Sequence, residues 1–368
     1  MIALLLSTVL LAAPAPVLVP FDFDTNQILV RASANGSEPA WFILDTGASA
    51  NVLDAAFAKK LGIKQESERQ SSGAGKGTVK AGLTRGVRYD VGGTSTVAET
   101  TYLIDLSGQP AILGREVAGI LGYDFFIKFA VEVDYEAQVL RLHDPATFKP
   151  PPGAEALQFT LDKKTPHVPI QIKVPGQVAV TKTVLVDSGS QDAVDDDVMP
   201  QSPIKRDVLG GVGLGQEYRV TVGRADWAKL GSFTLRAPAG VGGGVALIGN
   251  EVLRRFHLGI DYSRKTLWLA PNQHLDDAFT NDASGLDLRY APDHQTFEIH
   301  DVSQPSPAAS AGIKAGDVLT AVDGRPVSEL GGLQRLHALF SRAGATYTLT
   351  VKRGAETRQV PLTLREQL

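Results

Sequence analysis

A duplication restricts this 368-residue chain more than any other feature. The run GILGYDFFIKFAVEVDYEAQVLRLHDP starts at Gly119, and ALIGNEVLRRFHLGIDYSRKTLWLAPN starts at Ala246. They align without a gap at an offset of 127 residues (246 − 119). Gly122 falls on Gly249, Phe129 on Phe256, Asp134 on Asp261 and Tyr135 on Tyr262. A second pair precedes it: FILDTGASANV from Phe42 matches VLVDSGSQDAV from Val184, with Asp45 over Asp187, Thr46 over Ser188 and Gly47 over Gly189. A unit repeated in this way packs as two similar modules, while the loops between the matched blocks are free to differ.

Each module drives an apolar strand into an acid, a small hydroxyl residue and a glycine. A carboxylate with little water around it is costly, so each needs a partner or a task. If the modules face one another, Asp45 and Asp187 meet. Two close carboxylates cannot both ionise cheaply; one pKa rises and they share a proton. The ionised member can take a proton from water while the other donates to a carbonyl oxygen or leaving amine, which is general acid–base chemistry without a covalent intermediate. Gly47 and Gly189 bring backbone N–H groups close to the acids. Thr46 and Ser188 can hydrogen-bond across the junction.

Composition limits the alternatives. The formal net charge is −4 and the pI about 6.0, against the basic face a nucleic-acid binder carries. There is no cysteine, which excludes disulfides, thiolate nucleophiles and cysteine-held metal. Seven histidines are scattered and form no HExxH pair, so neither a metal nor a cofactor is expected. The acidic run Asp195–Asp196–Asp197 reads as a solvated loop or helix start. The opening MIALLLSTVLLAAPAPV has an apolar run, small residues and proline, as in a secretory signal spanning about residues 1–16. That predicts an exported protein, periplasmic or secreted, attached to a membrane only if the segment stays uncleaved.

The chain divides into 17–147, 154–272 and 285–368. FKPPPGAEA (148–156) and QHLDDAFTNDAS (273–284) read as linkers. Alternation in the first two parts predicts strands, with a hairpin at Asn35–Gly36 and another at Glu136–Ala137. NVLDAAFAKKLGI reads as a helix with Leu53, Phe57 and Leu61 on one face and Gly62 as its C-cap. In the third part, SELGGLQRLHALFSRAG places Leu330, Leu333, Leu336 and Phe340 on one helical face, and Arg353–Gly354 turns a closing hairpin.

These motifs, ILDTGAS with GILG and VLVDSGS with ALIG, resemble the aspartic proteases of the pepsin and retropepsin kind, the compact halves being more similar to the bacterial retropepsin-like proteins. The resemblance covers about residues 20–272. It implies a mainly β fold of two pseudo-symmetric, barrel-like lobes, a cleft for an extended peptide or protein substrate, and Asp45 and Asp187 as the catalytic dyad, supported by Thr46, Gly47, Ser188 and Gly189. It also makes SSGAGKG (71–77) and LGGVGLGQ (209–216) flap-like, with Gly73, Gly75, Gly211 and Gly213 over the substrate; ordinary flexible loops are the alternative. Asp192 stands close enough to raise the dyad pKa. Ala48 offers no hydroxyl to Asp45, which favours activity nearer neutral pH. SPAASAGIKAGDVLTAVDGRPV (306–327) resembles a PDZ domain of the bacterial protease type, an α+β unit. By that resemblance a peptide C-terminus adds to the strand Phe297–Val302 beside the helix, with Tyr290, Phe297, Ile299 and Leu333 lining the groove. A degenerate protease fold that only holds peptides is the alternative for the whole chain.

Overall fold

The computed structural model describes residues 15–71, 78–210 and 217–368. Gly73, Gly75, Gly211 and Gly213, and nearly all of the expected signal segment, lie outside the described residues. The protein is mainly β.

The duplication becomes a symmetric sheet. Six strands run in the order Glu155–Gln158, Thr266–Pro271, Phe256–Asp261, Ala130–Asp134, Val139–His143 and Val17–Asp22. At its centre the two repeat copies pair with each other, antiparallel. Val131 lies opposite Ile260, Glu132 opposite Gly259 and Val133 opposite Leu258. Glu132 and Gly259 are themselves repeat equivalents (132 + 127 = 259). A segment that pairs with its own copy about equivalent residues defines a local two-fold axis, the isologous geometry of a homodimer realised within one chain.

Above this sheet the halves repeat one arrangement. Phe42–Leu44 runs parallel to Gly119–Leu121, and Leu185–Val186 runs parallel to Leu247–Ile248. Each pairing ends at an acid: the Asp45 N–H donates to the Leu121 carbonyl (3.0 Å) and the Asp187 N–H to that of Ile248 (2.9 Å). One apolar core runs through both halves, including Phe42, Leu44, Phe125 and Phe126 from the first and Val184, Val186, Ile248 and Phe256 from the second. The Asn35–Gly36 hairpin forms, both residues at positive φ (49° and 76°), as its two-residue turn requires.

The helix expected from Asn51 onward is shorter. Asn51–Asp54 is a strand, and only Ala55–Lys60 is helical. Asp54 caps it, accepting the Phe57 N–H. Leu53 is buried through strand pairing with Leu103 and Gly119. The first linker also orders, since Glu155–Gln158 forms an edge of the shared sheet. Residues of the second are tethered by buried Arg255, whose guanidinium donates to the carbonyls of His274, Leu275 and Asp277.

The C-terminal unit has its own core, including Leu288, Phe297, Ile299, Leu336, Phe340 and Leu349. Its main strands run in the order Leu286–Tyr290, Phe297–Val302, Val318–Val322, Thr346–Arg353 and Glu356–Thr363. The helix is Leu333–Phe340, shorter than expected because Gly331 and Gly332 (φ 86° and 88°) break it.

Candidate active site

The two acidic turns meet at the junction of the halves and lock together reciprocally. The Thr46 N–H donates to Ser188 Oγ (3.0 Å) and the Ser188 N–H to Thr46 Oγ1 (2.9 Å). In turn, Thr46 Oγ1 donates to the Val186 carbonyl (2.6 Å) and Ser188 Oγ to the Leu44 carbonyl (2.9 Å). Both side chains are buried. Each hydroxyl therefore satisfies a donor and an acceptor of the other half.

This clasp sets Asp45 against Asp187. The Gly47 N–H donates to Asp45 Oδ1 (2.7 Å) and that of Ala48 to the same oxygen (3.0 Å), while the Gly189 N–H donates to Asp187 Oδ1 (2.8 Å). Each glycine also abuts the opposite acid. A Cβ on Gly47 would lie 2.8 Å from the Asp187 carboxyl, and one on Gly189 only 2.5 Å from that of Asp45. With each carboxyl seated against the glycine beside the other, the two acids face one another across the junction. Burial, followed by the charge of Asp187, pushes Asp45 well above the ordinary carboxylate range. Burial also raises Asp187, against the N–H groups of Gly189 and Ser190 and the neighbouring Asp45 carboxyl. The pair titrates as a unit that holds one shared proton.

Residues that sequence reasoning passed over support the floor of the site. The Tyr262 hydroxyl donates to the Thr46 carbonyl (3.2 Å). The Tyr135 hydroxyl donates to Asn250 Oδ1 (2.8 Å), and Asn250 Nδ2 donates to the Ser188 carbonyl (2.7 Å). The two tyrosines occupy equivalent repeat positions, and that equivalence was the available signal.

The acidic run departs from expectation. Asp195 and Asp196 are buried, 5% and 7% exposed, not solvated. Backbone N–H groups hold them: Val241 donates to Asp195 (2.9 Å), Val198 to Asp196 (2.9 Å) and Gly243 to Asp197 (2.7 Å). The charge of Asp192 raises both Asp195 and Asp187. Ser190 Oγ, three residues past Asp187, engages Asp192 rather than the dyad. Removing a like charge favours the ionised form of its neighbour. Asp192→Asn is therefore expected to move the acidic limb of the kcat/KM–pH profile, which reports ionisation of the dyad, to lower pH. An unmoved limb, or one moved upward, would refute the coupling.

In the C-terminal unit the expected receiving strand is corrected. Phe297–Val302 is paired on one side with Leu286–Tyr290 and on the other with Val318–Leu319, so it has no free edge. Phe297 and Ile299 are core residues, 2% and 0% exposed. The edge of the sheet is Leu286–Tyr290, its terminal strand, against which the helix Gln109–Leu113 of the first half packs. Tyr290 and Leu333 do come together, the Leu333 N–H donating to the Tyr290 hydroxyl (3.1 Å). The Tyr290 ring also packs so closely on Gly114 of the first half that a Cβ there would lie 2.7 Å from it.

Residues 30–125 match the model of the aspartyl protease family, and residues 279–364 match that of the PDZ domain. No curated protein matches the chain. The chain thus carries an aspartyl protease domain of the retropepsin-like type and a C-terminal PDZ domain. The first match holds Asp45 and the GILG block and stops before Asp187; the second half is tied to it by the repeat and by the reciprocal hydrogen bonds.

Proposed function

We propose that the protein is an aspartic endopeptidase built from two pseudo-symmetric lobes, hydrolysing peptide bonds with a water activated by Asp45 and Asp187. The observation that carries this reading is the Thr46–Ser188 clasp, which seats one carboxyl from each half against the opposite acidic turn. The ionised carboxylate of the pair takes a proton from water as the oxygen attacks the scissile carbonyl carbon. Its protonated neighbour donates a proton to the carbonyl oxygen. Collapse of the tetrahedral intermediate then returns a proton to the leaving nitrogen. The strong cost of burying two like charges keeps a single proton in the site at working pH, so that acid and base coexist. The PDZ domain supplies a second peptide-binding surface, through the terminal strand Leu286–Tyr290.

The test is a digest of a peptide library by the full chain across the acidic to neutral range, with products sequenced. Internal cleavage that survives chelators and thiol- and serine-directed reagents is the expected result. Absence of cleavage at every pH would leave the fold as a peptide-holding scaffold.

A further inference from the structure

A cavity of about 360 Å³ lies where the second half meets the PDZ domain. Its lining includes Gln191–Ala193, just past the second acidic turn; Arg206, Val208, Leu209 and Val222 of two paired antiparallel strands; and Leu286, Asp287 and His337 of the PDZ domain. The domains are clasped beside it. Arg289 and His300 both bind Glu217 (3.1 and 2.8 Å), and Arg219 approaches Asp301 (3.3 Å).

Arg206 is the unsatisfied group in this cavity. Its Nε and Nη1 are buried and have no hydrogen-bond partner among the described residues, and its Nη2 lies 3.9 Å from Asp282. Asn281 Nδ2, in the same wall, is buried and unpartnered too. A guanidinium stays charged, and leaving its donors dry and unpaired is costly. Asp282 offsets part of that cost through charge alone, and the other acids nearby are engaged elsewhere. Asp287 pairs with Arg289, Asp301 with Arg219, and Glu251 with Arg254 and Arg255. Asp192 accepts from Ser190 Oγ (3.4 Å).

Asp282 also changes how the PDZ strand can receive a ligand. Its carboxylate accepts from the Ser284 N–H (3.2 Å), Ser284 Oγ (2.5 Å) and the Gly285 N–H (2.6 Å), and Ser284 Oγ takes the Leu286 N–H (3.0 Å). The amides leading into the terminal strand are therefore already filled by a carboxylate of the chain itself. An incoming anion must find another donor, and the guanidinium across the domain boundary is there.

We propose that this cavity is a composite site in which Arg206 of the protease region, not the PDZ loop, takes a carboxylate of a bound peptide, with Val208, Leu209, Val222 and Leu286 accommodating the adjoining apolar side chain. The carboxylate is that of a chain terminus or of an acidic side chain. A ligand so placed touches the segment that follows Asp187 and the start of the terminal PDZ strand at once, so the two domains read one peptide.

The inference rests on the peptide-binding part of the proposed function, and its test measures binding rather than cleavage so that the two fail separately. The full chain carrying Asp45→Asn is titrated with N-terminally labelled peptides, followed by fluorescence anisotropy. One peptide ends in leucine with a free carboxylate, the second is its amide, and the third is an amide with glutamate in place of the leucine. The free acid, the glutamate amide or both should bind at least about tenfold more tightly than the leucine amide, the better arm naming the carboxylate source. Arg206→Gln should remove that preference, and Arg206→Lys should retain part of it. With Arg206 intact, N-acetyl-leucine should compete and N-acetyl-leucinamide should not, a comparison that needs no variant at this position. Equal binding of the three peptides, a preference that survives Arg206→Gln, or equal competition by the two small molecules would overturn the proposal.

Discussion

Asp45→Asn and Asp187→Asn are each expected to lower kcat/KM for a cleaved peptide by about 10³-fold or more, with the fold retained. The reaction asks one carboxyl to accept a proton while its neighbour donates one, and an amide does neither. Because the pair acts as a unit, the double variant should be little worse than either single one. Loss of activity will not come from unfolding. Both carboxyls are raised by burial, so their folded pKa values exceed those of the unfolded chain. The stability they contribute is complete below the unfolded carboxylate value and is lost as pH rises through the raised ones. An asparagine has no such loss. Near neutral pH each variant should therefore unfold at a temperature no lower than the wild type, and only in acid should that relation reverse or vanish. Retained cleavage in either variant would remove that acid from the mechanism.

The second large effect concerns the clasp. In Thr46→Val the Val186 carbonyl loses a donor at 2.6 Å and the Ser188 N–H loses an acceptor at 2.9 Å, in a site without water access. A buried group left unpaired costs about 1–3 kcal/mol, so two should cost roughly 2–6 kcal/mol. Activity should fall with stability, since Asp45 follows the displaced turn. Thr46→Ser keeps the hydroxyl, copies what the other half already uses, and should stay within about 1 kcal/mol of the wild type. Denaturant unfolding and kcat/KM measured on the same preparations check both. Similar stability for the valine and serine variants would show that the methyl, rather than the hydroxyl, matters.

What the sequence disclosed follows from what each signal measures. The Asp–hydroxyl–Gly turns were legible because they occur twice with their strands, and symmetry requires equivalent residues to meet. The same symmetry made Tyr135 and Tyr262 findable, although neither carries an obvious chemical role. Leu53 misled because an apolar residue ahead of Phe57 and Leu61 fits a helical face, whereas its burial comes from strands contributed by Leu103 and Gly119, far along the chain. Asp195 and Asp196 looked solvated because charge was visible and the receiving N–H groups of Val198 and Val241 were not. Phe297–Val302 has the right alternation for a ligand-bearing strand, but alternation does not say which edge is free. That depends on Leu286–Tyr290, placed between it and the edge of the sheet.

The central pairing of Val131–Val133 with Leu258–Ile260 carries a consequence for biogenesis. During synthesis the strand Ala130–Asp134 emerges more than a hundred residues before its partner, so the nascent first half presents an unsatisfied edge to anything nearby. Such distant pairings close slowly. A fragment ending near residue 147 should accordingly self-associate, borrowing from a second molecule the strand its own chain has not yet delivered.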